Sequence, residues 1–173
     1  MIEEIQTELD FVPDVIFCSV GGGSLLGGII HGCAAGWSHG GSRNCGCVCV
    51  TPDLITRTVP IVAIEPLGSN CFYSSMALNM PWKEMYQIED IKGMATDMNI
   101  KEIGEGLRVA HLRSVKTCAT SLAAPSPAPK TIDRAMMRTG EVTCVCVPDE
   151  MMMSTAISFA GDAIPPSHLR CYH

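Results

Sequence analysis

The chain has 173 residues, 47% of them hydrophobic and 17% charged, and a net charge of −6. That length suits one domain, and the composition excludes a disordered chain. The acidic balance, without clusters of Lys or Arg, argues against nucleic acid or an anionic membrane as partner, and no apolar run approaches the ~20 residues that cross a bilayer. The opening Met1-Ile-Glu-Glu-Ile5 has neither a basic region nor an apolar core, so no signal peptide is expected and the predicted location is cytoplasmic. Ten cysteines are present, but Cys18, Cys144 and Cys146 lie inside apolar β-like runs, where free thiols behave as small hydrophobes. Free thiols in a reducing compartment are therefore expected rather than a disulfide framework.

In chain order, Ile2–Leu9 reads as a short acidic helix, closed before Pro13. Asp14–Val20 is a continuous apolar run, as expected of a strand covered on both faces. It leads into Gly21-Gly22-Gly23-Ser24 and a helix from Leu25 to about Ala35, ending at Gly36. Residues 38–58 have loop composition. Val59–Glu65 reads as a second buried strand, followed by Pro66-Leu-Gly-Ser-Asn70 and a helix to about Leu78. Residues 80–120 are weakly periodic and read as a helix and loops. Pro125, Pro127 and Pro129 punctuate a linker, with Pro129 at the start of a helix Lys130–Arg138 that ends at Gly140. Glu141–Val147 is a third strand. Pro148-Asp149 then opens a helix through Met151–Phe159, with Asp149 as its N-cap. Strands alternating with helices imply a parallel sheet in an α/β fold.

The strand, glycine turn and helix around residues 14–36 form the strongest chemical feature. Consecutive glycines let the backbone turn sharply and approach a ligand, and the helix aims its free N–H groups and positive dipole end at the turn. No Lys or Arg lies in the loop, so amide donors would carry anion binding. A plain strand–helix turn without ligand is the alternative. The dinucleotide motif and the nucleophile elbow both need Gly where Leu26 stands, and the Gly-Lys pair of a P-loop is absent.

The segment Pro13–Ile30 resembles the phosphate loop of eukaryotic L-serine dehydratases (serine/threonine ammonia-lyases). These are tryptophan-synthase-β-like enzymes of pyridoxal-phosphate fold type II. Val59–Pro66, Thr120–Ala124, and Val145–Glu150 followed by Phe159-Ala160 fit the same family in the same order. The resemblance covers about residues 1–36 and 59–162. It implies an α/β fold, specifically a partial parallel-sheet, three-layer cofactor-binding domain over 1–162. Residues 38–58 are then an insertion without family counterpart and 163–173 an unmatched tail. It implies that Gly21, Gly22, Gly23, Ser24 and Leu25 hold the phosphate of pyridoxal 5′-phosphate, with Ser24 standing where the family usually has a fourth glycine. It further implies that Glu65 and Ser69, with the carbonyls of Leu122 and Ala124, hold a monovalent or divalent cation. The implied substrates are the small amino acids L-serine or L-threonine, with serine converted to pyruvate and ammonia by an enzyme that is commonly a homodimer.

The family's Schiff-base lysine sits in an S-x-K-x-R motif upstream of the glycine loop, and no lysine precedes Gly21 here. Ser114-Val-Lys116-Thr-Cys118 lies downstream and lacks the Arg, so Lys116 reads as a surface lysine. The family's segment after Phe159 is also unmatched, and Cys171 is not assigned its role. The expectation is a fragment with negligible turnover of its own. Its rivals are a non-catalytic dehydratase-like binding protein and a different α/β enzyme using the loop for another phosphorylated ligand. Cys45, Cys47 and Cys49 with His39 lack the spacing of a zinc site and read as loop thiols. Met151–Met153 reads as core packing on a helix, His31 as a packed or surface residue, and Glu3, Glu4, Glu84, Glu89 and Asp90 as solvated faces. Nothing places His111 or His168 beside Ser24 as a hydrolase would require.

Overall fold

The computed structural model describes residues 2–9, 11–36, 59–80, 96–138 and 142–160. The expected insertion and tail lie outside the described residues, as do His39, Cys45, Cys47, Cys49, Glu84, Glu89, Asp90, His168 and Cys171. The helices are α1 (Ile2–Glu8), α2 (Ser24–Gly36), α3 (Cys71–Asn79), α4 (Pro129–Met137) and α5 (Asp149–Ala160). The strands are β1 (Ile16–Ser19), β2 (Ile61–Pro66), β3 (Met98–Ile103), β4 (Leu107–Leu112) and β5 (Val142–Val147).

Three apolar strands, β1, β2 and β5, form a parallel sheet in the order β1-β2-β5. The register sets Ile16 and Cys18 beside Ile61 and Ala63, and these beside Val142 and Cys144. Alternate residues therefore share a face. One face, with Cys18, Val20, Ile61, Ala63, Val142, Cys144 and Cys146, is buried against Leu26, Ile29 and Ile30 of α2, Phe72 and Met76 of α3, and Ile132 and Ala135 of α4. Burying each such side chain stabilises the fold by about 1.5–3 kcal/mol for the larger ones. The parallel α/β reading of the sequence is borne out.

The other face differs from expectation. Phe17 is 66% exposed and its row neighbours Val62, Ile64, Thr143 and Val145 are only half-buried, so the run Asp14–Val20 is not covered on both sides among the described residues. Continuous hydrophobicity reported a strand without reporting how many of its faces are covered. Met151–Met153 are likewise not core: Met151 is 46% exposed and the next two are half-buried on a helix with little against it among the described residues. Asp149 is the first residue of α5, but its carboxylate does not cap that helix. It accepts from the Thr117 hydroxyl at 2.7 Å and the Cys118 N–H at 2.6 Å, tying the 117–118 segment to the C-terminal end of the sheet. Burial raises the Asp149 pKa, and these donors together with the Cys118 thiol outweigh it, leaving a net lowering.

The second departure is β3–β4, an antiparallel hairpin where the sequence suggests helix and loops. Its turn, Gly104-Glu105-Gly106, has both glycines at positive φ (59° and 88°). The hairpin docks on α3 through polar substitutes for strand pairing. Asn79 donates to the Arg108 carbonyl at 2.6 Å and accepts the Arg108 N–H at 2.9 Å, and buried Ser75 accepts the Ala110 N–H at 2.9 Å.

Candidate cofactor and cation sites

Strand β1 ends at the carboxyl edge of the sheet, where ligands bind in open α/β folds. There the chain turns through Gly21-Gly22-Gly23, and α2 begins at Ser24. Gly23 takes φ 83°, a backbone that side-chain-bearing residues rarely adopt. The loop carbonyls are all engaged. Gly21 O accepts from the Cys71 thiol at 3.7 Å, Gly22 O from the Ala128 N–H at 2.8 Å, and Gly23 O from the Gly27 N–H at 2.8 Å and the Thr131 hydroxyl at 3.1 Å. The N–H groups of Gly21, Gly22, Gly23, Ser24 and Leu25 find no acceptor among the described residues. Gly22, Ser24 and Leu25 are also exposed. Five unpaired donors at a helix N-terminus form the cradle a phosphate dianion fits. The exposed Ser24 adds a hydroxyl where a glycine would have none.

Beside the loop lies a cluster of oxygens. Glu65, at the end of β2, is 1% exposed and caps α3 from a distance: its two oxygens accept the N–H groups of Phe72 at 2.9 Å and Tyr73 at 2.6 Å. Asn70, which precedes that helix, supplies no side-chain cap, so Glu65 satisfies those donors instead. Burial pushes the Glu65 carboxyl up to about 8, against the opposing pull of the Phe72 and Tyr73 N–H groups and the Cys71 thiol. The same burial, with the Glu65 charge, pushes Cys71 up to about 12 and raises Cys146, so these thiols are held as unreactive SH groups.

Ser69 is fully buried and its hydroxyl reaches the carbonyls of Leu122 at 2.9 Å and Ala124 at 3.3 Å while accepting the Ala124 N–H at 3.1 Å. The expected group of Ser69, Leu122 and Ala124 is thus brought together. Glu65 makes its own hydrogen bonds at the other end of the 3-10 turn Leu67–Ser69. Asn70, 1% exposed, donates to Ser74 at 3.1 Å, and its Oδ1 has no partner among the described residues. No group of three or more His, Cys, Asp or Glu poised for a metal occurs among the described residues. Carboxylate, hydroxyl, amide and carbonyl oxygens are hard donors, the set that fits an alkali or alkaline-earth cation rather than zinc. The two sites are contiguous, because a Cβ on Gly21 would stand 3.1 Å from Leu122 Cα.

Lys116 is exposed, as expected, and contributes through its backbone. Its N–H donates to Gly68 O at 3.0 Å, and its own carbonyl occupies the space a Cβ on Gly68 would need. His31 and His111 are exposed. A separate cavity of about 360 Å³ between α1, β1 and α2 is lined by side chains such as Ile5, Leu9 and Ile29 and has no titratable group beyond Cys18, so it offers no chemistry. Sequence reasoning missed Thr131, Asn70 and Cys71. Only the position of Thr131 in the first turn after Pro129 hinted at a polar role there.

No family model matches the chain. Over 104 residues, covering 60% of the chain and 25% of the relative, it is 25% identical to the serine dehydratase-like protein of Homo sapiens. Its structure is similar to that of a fungal L-serine ammonia-lyase from Rhizomucor miehei, with a TM-score of 0.58 and 24% identity, covering 94% of the chain and 36% of that protein. It is also similar to a T.th. threonine deaminase, with a TM-score of 0.54 and 15% identity, covering 92% of the chain and 40% of that protein. The chain therefore spans about a quarter of the curated relative and well under half of each solved structure. The resemblance read from the sequence is borne out: the chain is similar to a serine dehydratase-like protein and carries part of the fold of the fold type II pyridoxal-phosphate enzymes.

Proposed function

We propose that this chain is the phosphate-binding portion of a pyridoxal-phosphate-dependent L-serine ammonia-lyase, which converts L-serine to pyruvate and ammonia. The observation that carries the reading is the row of five N–H groups from Gly21 to Leu25 with no acceptor among the described residues, at a turn exposed at Gly22, Ser24 and Leu25 where α2 begins. When bound, pyridoxal phosphate supplies the electron sink that lets an amino acid lose its α-proton. The chain's own residues hold the phosphate through backbone donors and the Ser24 hydroxyl. Ser69, Asn70 and the carbonyls of Leu122 and Ala124, with Glu65 at the other end of the Leu67–Ser69 turn, would hold the cation that the resemblance implies. No lysine precedes Gly21, and Lys116 is exposed, so this chain by itself has negligible turnover.

Equilibrium dialysis of the 173-residue chain with pyridoxal 5′-phosphate and with pyridoxal tests the reading. The phosphorylated form binds and inorganic phosphate displaces it, whereas pyridoxal is not retained. Phosphate competition separates the loop from surface lysines that capture the aldehyde. Equal retention of pyridoxal would overturn phosphate binding, and steady pyruvate release from L-serine would overturn the absence of turnover.

A further inference from the structure

Thr131 lies 108 residues from the glycine loop in sequence, yet its hydroxyl donates to the Gly23 carbonyl at 3.1 Å. It is 4% exposed, so that bond is shielded from water. Three residues earlier the Ala128 N–H holds the Gly22 carbonyl at 2.8 Å, so the start of α4 grips two successive loop oxygens. In a planar trans peptide the C=O and the N–H point in opposite directions. Holding Gly22 O and Gly23 O toward α4 therefore turns the N–H groups of Gly23 and Ser24 away from it. The fit is close on both sides. A Cβ on Gly27 would stand 2.8 Å from Thr131 Oγ1, and a Cβ on Gly23 would stand 3.3 Å from the Thr131 methyl.

We propose that Thr131 is a positioning residue for the loop: its hydroxyl fixes the Gly23 peptide and thereby sets the affinity of the loop for a phosphate group. The proposal rests on the phosphate reading above. Thr131 touches no ligand and acts only by pre-ordering donors, so binding no longer has to freeze the loop. Gly27 belongs to the same device, because any side chain there displaces the Thr131 hydroxyl.

Three variants of the full chain test it: Thr131→Val, which keeps the shape and loses the hydroxyl, Thr131→Ser, which keeps the hydroxyl, and Gly27→Ala. Inorganic phosphate and pyridoxal 5′-phosphate affinities are measured with amide hydrogen exchange at residue 27, whose N–H shares the Gly23 carbonyl. Thr131→Val weakens binding of both probes by about five- to tenfold, the worth of one buried hydrogen bond, and speeds exchange at residue 27. Thr131→Ser stays within about twofold of the parent on both readouts. Gly27→Ala weakens binding although alanine favours the helix. Parent-like affinity and exchange in Thr131→Val, or equal loss in Thr131→Ser, would overturn the proposal. If the parent chain binds no phosphate the functional reading falls, and exchange at residue 27 still decides whether the hydroxyl orders the loop.

Discussion

At the turn after β1 the backbone presents donors with no acceptor among the described residues, whereas around the turn after β2 acceptors gather out of reach of water. The first region is exposed at Gly22, Ser24 and Leu25, and its carbonyls are tied down. The second buries Glu65, Ser69 and Asn70 almost completely: the Glu65 oxygens accept two N–H groups of α3, and the Asn70 Oδ1 has no partner among the described residues. The contrast teaches how differently one sheet edge presents donors and acceptors. N–H donors come from the backbone and need no side chain, so glycine suffices in the first region. The oxygens of the second come from distant segments, so that cluster is built from tertiary contacts.

The largest effect is expected where the two segments of the acceptor region meet. Gly68→Ala drives a methyl into the Lys116 carbonyl, a backbone atom that cannot step aside. The cost should exceed roughly 5 kcal/mol, enough to abolish cooperative unfolding in a domain of ordinary stability. A normal melting curve for this variant would show that the close approach is not required.

Glu65 gives the acceptor region a pH signature that the donor region lacks. Its folded pKa of about 8 lies above the ordinary carboxylate value of 4.5, so its contribution is fully present below 4.5 and is lost as pH rises through about 8. Chemical denaturation across that range should show stability falling by roughly 5 kcal/mol at most, and Glu65→Gln should flatten the slope. A cation bound by the carboxylate should restore the stability of the parent, but not of the variant, at the alkaline end. An unchanged slope in Glu65→Gln would remove Glu65 from the account.

The donor region is probed best at Gly22, where a Cβ would meet nothing within 4 Å. Gly22→Ala should leave stability within about 0.5 kcal/mol of the parent, while its methyl stands in the ligand's space and weakens phosphate binding about tenfold or more. Loss of stability without loss of binding would reverse the roles assigned to the two regions. The smallest effect is expected on the open sheet face. Phe17→Ser, at a side chain 66% exposed, should change the unfolding free energy by less than about 0.5 kcal/mol and reduce self-association in light scattering.

The parts of the fold legible in sequence are those with local signals. β1, β2 and β5 are dense apolar runs, α2 follows its glycines, and Pro129 opens α4 in its first turn. The β3–β4 hairpin escaped because the alternation Met98-Asn-Ile-Lys101 is cut short by Glu102 on a strand exposed along most of its length. The stronger cue was Gly104-Glu-Gly106. The phosphate loop was legible for the same local reason, since three glycines between strand and helix carry their own geometry. The anchors were not, because Cys71 reaches Gly21 across 50 residues and Thr131 reaches Gly23 across 108. Composition and spacing do not encode such contacts.

The central claim is that the free N–H groups of Gly21–Leu25 receive a phosphate. Titrating pyridoxal 5′-phosphate into the isotope-labelled chain while following amide chemical shifts tests it most directly. The five loop amides should shift together along one binding curve, and inorganic phosphate should reproduce the pattern. Shifts confined to lysine neighbours or to the α1–β1–α2 cavity, with the loop amides unmoved, would contradict it.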